Sequence, residues 1–203
     1  MLGAVPVGLA LAFALTALLY ASVGFGGGST YAALLALSGL DYRLLPLVAL
    51  ACNIVVVAGG SIRFARAGVT PWPRAGLLVG LGAPAAFLGG LTPIKEATFL
   101  SLLGASLVLT SLAMLIPLRE ARFGERSKAA QAMPLLAVPL GYLAGLVGIG
   151  GGIFLAPFLH LTRWHGAREI AATASLFILV NSLFGLGGQL VKNGPGAFAA
   201  AIG

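Results

Sequence analysis

Long apolar stretches occupy most of this 203-residue chain and leave little choice of fold. Hydrophobic residues make up 59% of the sequence and charged residues only 8%, which is too little polar surface to cover a soluble domain. Most of the stretches are long enough to cross a hydrocarbon layer about 30 Å thick as helices, which satisfy their own backbone hydrogen bonds there. The sequence therefore predicts an all-α polytopic membrane protein.

Eight apolar segments can be placed along the chain, with boundaries accurate to about 2 to 4 residues. They cover residues 5–23, 29–38, 44–62, 75–91, 98–117, 133–147, 153–161 and 170–191. The segments 29–38 and 153–161 are well short of the ~20 residues that a full crossing requires. We expect these two to be half-helices or re-entrant arms.

Each short segment follows a cluster of glycines. The first cluster is Gly24-Phe-Gly-Gly-Gly28 and the second is Gly148-Ile-Gly-Gly-Gly152. A glycine cluster weakens a helix and lets another backbone or a ligand approach closely. Because the peptide groups at such a joint would be costly in lipid, we expect both joints in the protein interior, beside protein or a watery cavity.

The glycine clusters belong to a longer internal repeat. Asn53 and Asn181 follow them at similar distances, and each Asn is followed six positions later by a glycine pair. The sequence thus predicts two related multi-helix repeats, residues 1–117 and 133–203, joined by a charged cytoplasmic linker at residues 118–132. The second repeat lacks counterparts of segments 75–91 and 98–117, so its last two spans are expected to be missing from a truncated chain. Parallel and inverted repeat topologies both fit the sequence.

The formal net charge of +7 arises from Lys and Arg between the apolar segments, where membrane topology explains it better than nucleic acid binding. Two loops rich in basic residues are therefore expected on the cytoplasmic side. The basic residues are Arg63, Arg66 and Arg74 in one loop and Arg119, Arg122, Arg126 and Lys128 in the other.

The two glycine breaks form a candidate anion site. A half-helix that begins after a glycine turn directs unpaired N–H groups and the positive end of its dipole at the break, which can bind oxyanions without a buried cation. The candidate ligands are the residues around both helix starts: Gly26, Gly27, Gly28, Ser29, Thr30, Gly150, Gly151 and Gly152. Close helix packing is the alternative for the glycines and helix capping for the two hydroxyls. We favour a site because a packing motif needs no short arm after it.

Polar side chains inside apolar spans complete the candidate substrate site. Asn53 and Asn181 must each find a partner, because an unpaired buried amide costs on the order of 1 to 3 kcal/mol. That partner is either the substrate or the exposed carbonyls of the broken helix, and the sequence favours neither. Thr173 and Ser175 precede Asn181 on the same helix, although a hydroxyl in a membrane helix usually bonds back to its own backbone.

One combination of motifs is specific enough to compare with known families. It consists of Gly145-Leu-Val-Gly-Ile-Gly-Gly-Gly152 followed by Pro157, then Ala172-Thr-Ala-Ser175 and Asn181, with a weaker first copy at Gly24 to Gly28 and Asn53. In these motifs the chain resembles the sulfite exporter TauE/SafE family, although Ala33 stands where the first copy would need a proline. The resemblance implies a multi-pass anion transporter of the prokaryotic plasma (inner) membrane that handles sulfite, organosulfonates or related sulfur-containing anions.

An enzyme is not expected, because the spans contain neither a nucleophile paired with a base nor an HExxH motif or His cluster. Accordingly, no catalytic residue, metal site or cofactor is predicted. A non-transporting membrane scaffold or assembly protein is the main alternative, since helices can pack through Gly and Asn alone. All acidic residues lie in loops or at segment ends, so no proton carrier can be named. Export is preferred because the negative cell interior favours it. The identity of the anion and the oligomeric state, including a homo-oligomer, stay open.

Overall fold

The structure, a computed structural model, describes residues 7–115, 132–162, 164–194 and 196. Within these ranges the chain forms eight helices, which are α1 (Val7–Val23), α2 (Gly28–Leu37), α3 (Leu45–Arg66), α4 (Trp72–Leu91), α5 (Glu96–Leu115), α6 (Met133–Val147), α7 (Gly152–Leu161) and α8 (Ala167–Asn193). Helices α3, α4, α5 and α8 are long and apolar enough to cross a membrane. The predicted all-α membrane fold is confirmed.

The predicted segments agree with the helices one for one. The two short segments become α2 and α7, each a helix of 10 residues that begins directly after its glycine cluster. Prolines in the first turn start α3, α4 and α6, where a missing N–H costs nothing. Residues 118–131 of the predicted linker, with their basic residues, lie outside the described ranges. The proposed repeat boundaries and missing spans stay predictions.

Helices α4, α6 and α8 form the tightly packed centre, with α3 against α8. Glycines make the close approach possible. A Cβ added to Gly145 would meet the carbonyl of Ala86, and one added to Gly141 would meet that of Gly82. Gly188 of α8 has the same relation to the backbone of α4. The residue four positions after Gly141 in α6, Gly145, contacts the residue four positions after Gly82 in α4, Ala86, so the two helices run in the same direction.

Helices α1 and α2 form an antiparallel hairpin around the first glycine break. The ring of Phe13 stacks on Tyr31 with 4.8 Å between centroids, and the hydroxyls of Tyr20 and Thr30 are 3.1 Å apart. Later residues of α1 thus lie beside earlier residues of α2. The chain leaves α2 towards Tyr42, on the side of the protein from which α1 starts.

Helices α6 and α7 form a second hairpin that opens to the other side. Arg74, at the start of α4, donates from Nη1 to Nε2 of His165, just after α7, over 2.7 Å. At the opposite end of α4, Lys192 Nζ of α8 donates to the Thr92 carbonyl over 3.4 Å. We call the side with Tyr42, Thr92 and Lys192 the Tyr42 face, and the side with Arg74 and His165 the Arg74 face.

The two hairpins therefore have opposite orientations. The α1–α2 hairpin starts and ends towards the Tyr42 face, whereas the α6–α7 hairpin starts and ends towards the Arg74 face. The helices that follow them are also antiparallel: Ser61 near the end of α3 lies 2.9 Å, Oγ to Oγ, from Ser175 near the start of α8. Of the two topologies compatible with the sequence, the geometry matches the inverted one.

Candidate functional site

The first break is a buried turn that depends on glycine. Gly24 and Gly27 have φ angles of 84° and 72°, in the left-handed region that side chains disfavour. Gly27 is the N-cap of α2, and no side chain caps this helix. The first amide of α2 with a main-chain acceptor is that of Tyr31, which donates to the Gly27 carbonyl over 3.0 Å. The amides before it have no carbonyl one turn back within the helix.

The second break repeats this geometry with one additional left-handed residue. Gly148 and Gly151, at the positions of Gly24 and Gly27, have φ angles of 83° and 82°, and Gly150 has 81°. Gly151 is the N-cap of α7, again without a side-chain cap. The amide of Phe154 donates to the Gly151 carbonyl over 3.1 Å, so the preceding amides start an uncapped helix here too.

Asn53 of α3 connects the two breaks. Its Nδ2 donates to the carbonyl of Ile149 in the second break over 3.1 Å. The same side chain faces Gly26 and Gly28 of the first break so closely that a Cβ on either glycine would overlap it. A Cβ on Gly28 would also lie 2.8 Å from the Ile149 carbonyl oxygen. The breaks thus cross at one buried point, and the prediction that both joints lie inside the protein is confirmed.

Several buried polar atoms of α3 and α8 have no hydrogen-bond partner among the described residues. They are Asn53 Oδ1, both side-chain polar atoms of Asn181, and Ser182 Oγ, and all three side chains are 0% exposed. Ser182 lies beside the break, because a Cβ added to Gly150 would be 2.9 Å from its Oγ. Asn181 lies against Gly82 of α4. Unpaired buried groups of this kind are costly and need an explanation.

The other predicted site residues with polar side chains lie in different surroundings. Thr173 Oγ1 donates to the carbonyl of Glu169 over 2.8 Å, the bond back to its own helix that is usual for such residues. Ser175 instead pairs with Ser61 and joins α3 to α8. Ser29 and Thr30 line a cavity of about 890 Å³ between α1, α2, α5 and Ile153. The structure thus brings Asn53 together with the glycines of both breaks, whereas Thr173 bonds to its own helix and Ser29 and Thr30 face the cavity beside α2.

Ser182 is a residue that the sequence did not indicate. It directly follows Asn181, but neighbouring residues on a helix point about 100° apart, so adjacency does not show which one faces a break. Ser61 was missed for a similar reason: only the crossing of α3 and α8 brings it to Ser175.

Two oppositely oriented hairpins with buried helix breaks define the class of this protein: a multi-pass membrane protein of the broken-helix type that is common among transporters. The family model described as "Sulfite exporter TauE/SafE" matches residues 9–203. The chain belongs to this family, whose members are membrane transporters rather than enzymes. It is accordingly a multi-pass protein of the prokaryotic plasma membrane.

A curated relative agrees with this assignment. The chain is 35% identical over 180 residues to "Probable membrane transporter protein y4hK" of Sinorhizobium fredii, an alignment that covers 87% of this chain and 73% of the relative. No solved structure matches the chain significantly.

Proposed function

We propose that this protein transports a small sulfur-containing oxyanion, such as sulfite or an organosulfonate, and that the anion binds where the two glycine breaks cross. The observation that carries the proposal is the meeting of two buried, uncapped helix starts at Asn53. A buried helix start without a cap leaves polar N–H groups in need of an acceptor. An oxyanion supplies several acceptor oxygens and a charge that the helix dipole favours.

Two buried side chains of α8, of which Ser182 lies beside Gly150, suit an anion because they can donate hydrogen bonds. Ser182 Oγ–H and the Asn181 amide are buried donors without a described partner, and the backbone amides of Gly150 to Gly152 lie in the adjacent break. These donors recognise sulfur oxyanions broadly. The proposal is therefore a substrate class, the sulfur oxyanions, rather than one substrate.

The distribution of charge argues against a cation as cargo. Within the described ranges, carboxylates occur only in a loop or in the first turn of a helix: Asp41, Glu96 and Glu169. A cation crossing the membrane interior would meet amide and hydroxyl groups of the described helices, and none of their carboxylates lies there. The same distribution provides no carboxylate for proton coupling, so we propose movement down the electrochemical gradient. The membrane potential then favours export by about 2.3 kcal/mol per charge per 100 mV.

The test is flux of labelled sulfite in proteoliposomes that contain the purified chain, with competition by sulfonates, thiosulfate, sulfate and chloride. Saturable flux that sulfonates or thiosulfate compete for is expected. A protein that is folded and inserted but moves none of these anions would contradict the proposal and support the scaffold alternative. Saturable flux competed by chloride alone would make it a transporter of a different small anion.

Two variants locate the site. Ser182→Ala removes a buried hydroxyl that has no described partner, so a purely structural role predicts unchanged or higher stability. A binding role predicts a several-fold higher half-saturation concentration. Gly151→Ala forces a side chain into the left-handed region at φ 82° and should abolish flux, whereas Gly59→Ala, where an added Cβ meets nothing within 4 Å, serves as the matched control. Normal transport in both Ser182→Ala and Gly151→Ala would place the site elsewhere.

A further inference from the structure

A basic cleft opens on the Tyr42 face, away from the crossing of the breaks. It has a volume of about 280 Å³ and lies between the α2–α3 loop, the α4–α5 loop and the ends of α6 and α8. Arg43 and Lys192 supply two cations to its lining, and Gln189 and Asn193 supply amides. None of the described residues that line it is acidic.

The polar groups of this cleft are held in place by hydrogen bonds. Gln189 is 0% exposed, and its Nε2 donates to the Gly145 carbonyl over 3.1 Å. Its Oε1 accepts from Asn193 Nδ2 over 3.3 Å. Arg43 Nε donates to the Tyr42 hydroxyl over 3.3 Å, and this contact raises the pKa of Arg43 further above its ordinary value. Like any arginine, Arg43 is a permanent cation, and it stands at the entrance.

The cleft leads towards the second glycine break. Two of its lining residues are Pro46, at the start of α3, and Leu146, in the last turn of α6. Gly148, the first residue of the second break, packs directly against Pro46. Leu146 is separated from Gly148 by a single residue along the chain. The inner wall of the cleft is thus in contact with the site proposed above.

We propose that this cleft is a docking site for the transported oxyanion at the Tyr42 face, with Arg43 and Lys192 as its charged ligands. The inference rests on the proposed function and adds a second anion site along the same pathway. The Asp41 carboxylate, outside the lining, accepts a hydrogen bond from the Arg43 backbone amide over 2.9 Å, but the two cations of the lining exceed this single negative charge. They attract an anion to the mouth of the pathway and raise its local concentration. The amides of Gln189 and Asn193 give the cleft a polar wall near the break.

A structural role for the cations is the competing explanation. Lys192 lies in the last turn of α8 and donates to Thr92 at the end of α4. In the competing explanation, its charge serves only to stabilise the negative ends of those two helices. Arg43 lies in the loop before α3, and its side chain donates to the Tyr42 hydroxyl rather than to the carbonyls of a helix end. The two variants therefore test the proposal independently.

The experiment measures the half-saturation concentration for sulfite supplied at the Tyr42 face of proteoliposomes that contain the full chain. This is the exit side for export, but movement down a gradient is reversible, so an anion supplied there must bind the cleft first. Arg43→Gln and Lys192→Gln should each raise it about fivefold, the change expected for one partly screened charge contact, with little change in maximal rate. Lys192→Arg should restore the wild-type value. Lys95→Gln is the matched control, because it removes an exposed charge from the same face outside the cleft. High ionic strength should reduce the difference between wild type and variants.

The outcomes separate this proposal from the transport proposal. Wild-type flux with unchanged half-saturation in both Arg43→Gln and Lys192→Gln overturns the docking site and leaves the transport proposal intact. If the wild type moves no anion, the cleft is judged by thermal stability in detergent, where bound sulfite should raise the melting temperature of wild type but not of Arg43→Gln. If sulfite shifts the melting temperatures of wild type and Arg43→Gln equally, or shifts neither, the docking site is overturned as well.

The phosphate of a lipid headgroup could supply the same chemistry as a free oxyanion. The flux measurement is therefore made in phosphatidylcholine alone and with added phosphatidylglycerol. The docking site predicts the variant effects in both membranes. Effects that appear only with phosphatidylglycerol, and do not depend on the sulfite concentration, assign the cleft to lipid and overturn the proposal.

Discussion

At the scale of single residues, Asn53 bears on both partners that the sequence left open for it, the carbonyls of the broken helix and the substrate. Its Nδ2 braces a carbonyl of the broken helix, while its Oδ1 has no described partner. The amide is thus a brace on one side and an unsatisfied group on the other. The sequence could indicate Asn53 because an amide in an apolar span needs a partner. It could not identify the partner, which lies 96 residues away in the chain.

The bond from Asn53 should contribute measurably to stability. Asn53→Ala leaves the Ile149 carbonyl unpaired in a buried site, which we expect to cost on the order of 1 to 3 kcal/mol. Thermal unfolding in detergent, followed by scanning fluorimetry, should show a clearly lower melting temperature. Cys52→Ala is the control, because Cys52 is the adjacent residue and is only partly buried. Equal melting temperatures for the two variants would argue that Asn53 does not hold the breaks together.

At the scale of helices, the sequence predicted the elements well and their contacts poorly. Apolar length and glycine clusters were sufficient to find the eight helices of the described ranges, including the short α2 and α7. Most glycines looked equivalent in the sequence, yet Gly145 touches the backbone of α4 whereas Gly104 faces open space. Which glycine packs depends on the rotation of each helix, and an apolar stretch with no polar face does not specify that rotation.

The glycine contacts between α4 and α6 give a prediction at this scale. Gly145→Ala places a methyl group against the Ala86 carbonyl, so the helices must separate, at a cost of about 1–3 kcal/mol. Gly104→Ala adds the same methyl group in α5 without a contact and should be neutral or stabilising, since Ala is the better helix former. Melting temperatures of the two variants provide the comparison. A Gly145→Ala protein as stable as wild type would show that α4 and α6 are farther apart than described.

At the scale of the whole molecule, the opposite orientation of the two hairpins is the main result. The sequence allowed parallel and inverted topologies because a break shows where a helix stops and not where the chain goes next. The bond from Arg74 to His165 and the bond from Lys192 to Thr92 place the loops on opposite faces. Neither pair is close in sequence, so no local pattern could have revealed them. The basic residues Arg63 and Arg66 lie at the end of α3 and predict a cytoplasmic Arg74 face.

Cysteine labelling tests this topology directly. Cys52→Ala removes the chain's single cysteine, and new cysteines are then introduced one at a time as Asp41→Cys and Arg168→Cys, both at exposed positions. In intact cells a membrane-impermeant maleimide should label the first variant and spare the second until the membrane is permeabilised. The labelling of Arg66→Cys should follow that of Arg168→Cys. Labelling of Asp41→Cys and Arg168→Cys from the same side would contradict the opposed hairpins.

The bond from Asn53 to Ile149 also sets an order of events during biosynthesis. The donor emerges from the ribosome 96 residues before its acceptor, an interval of roughly 5 to 20 s at about 5–20 residues per second. Throughout that time the Asn53 side-chain amide lacks its final partner, and water or the insertion machinery has to supply its hydrogen bonds. The amino-terminal hairpin therefore reaches its final packing only after the second hairpin has entered the membrane, and ribosome stalling between the two would leave it exposed to quality-control proteases.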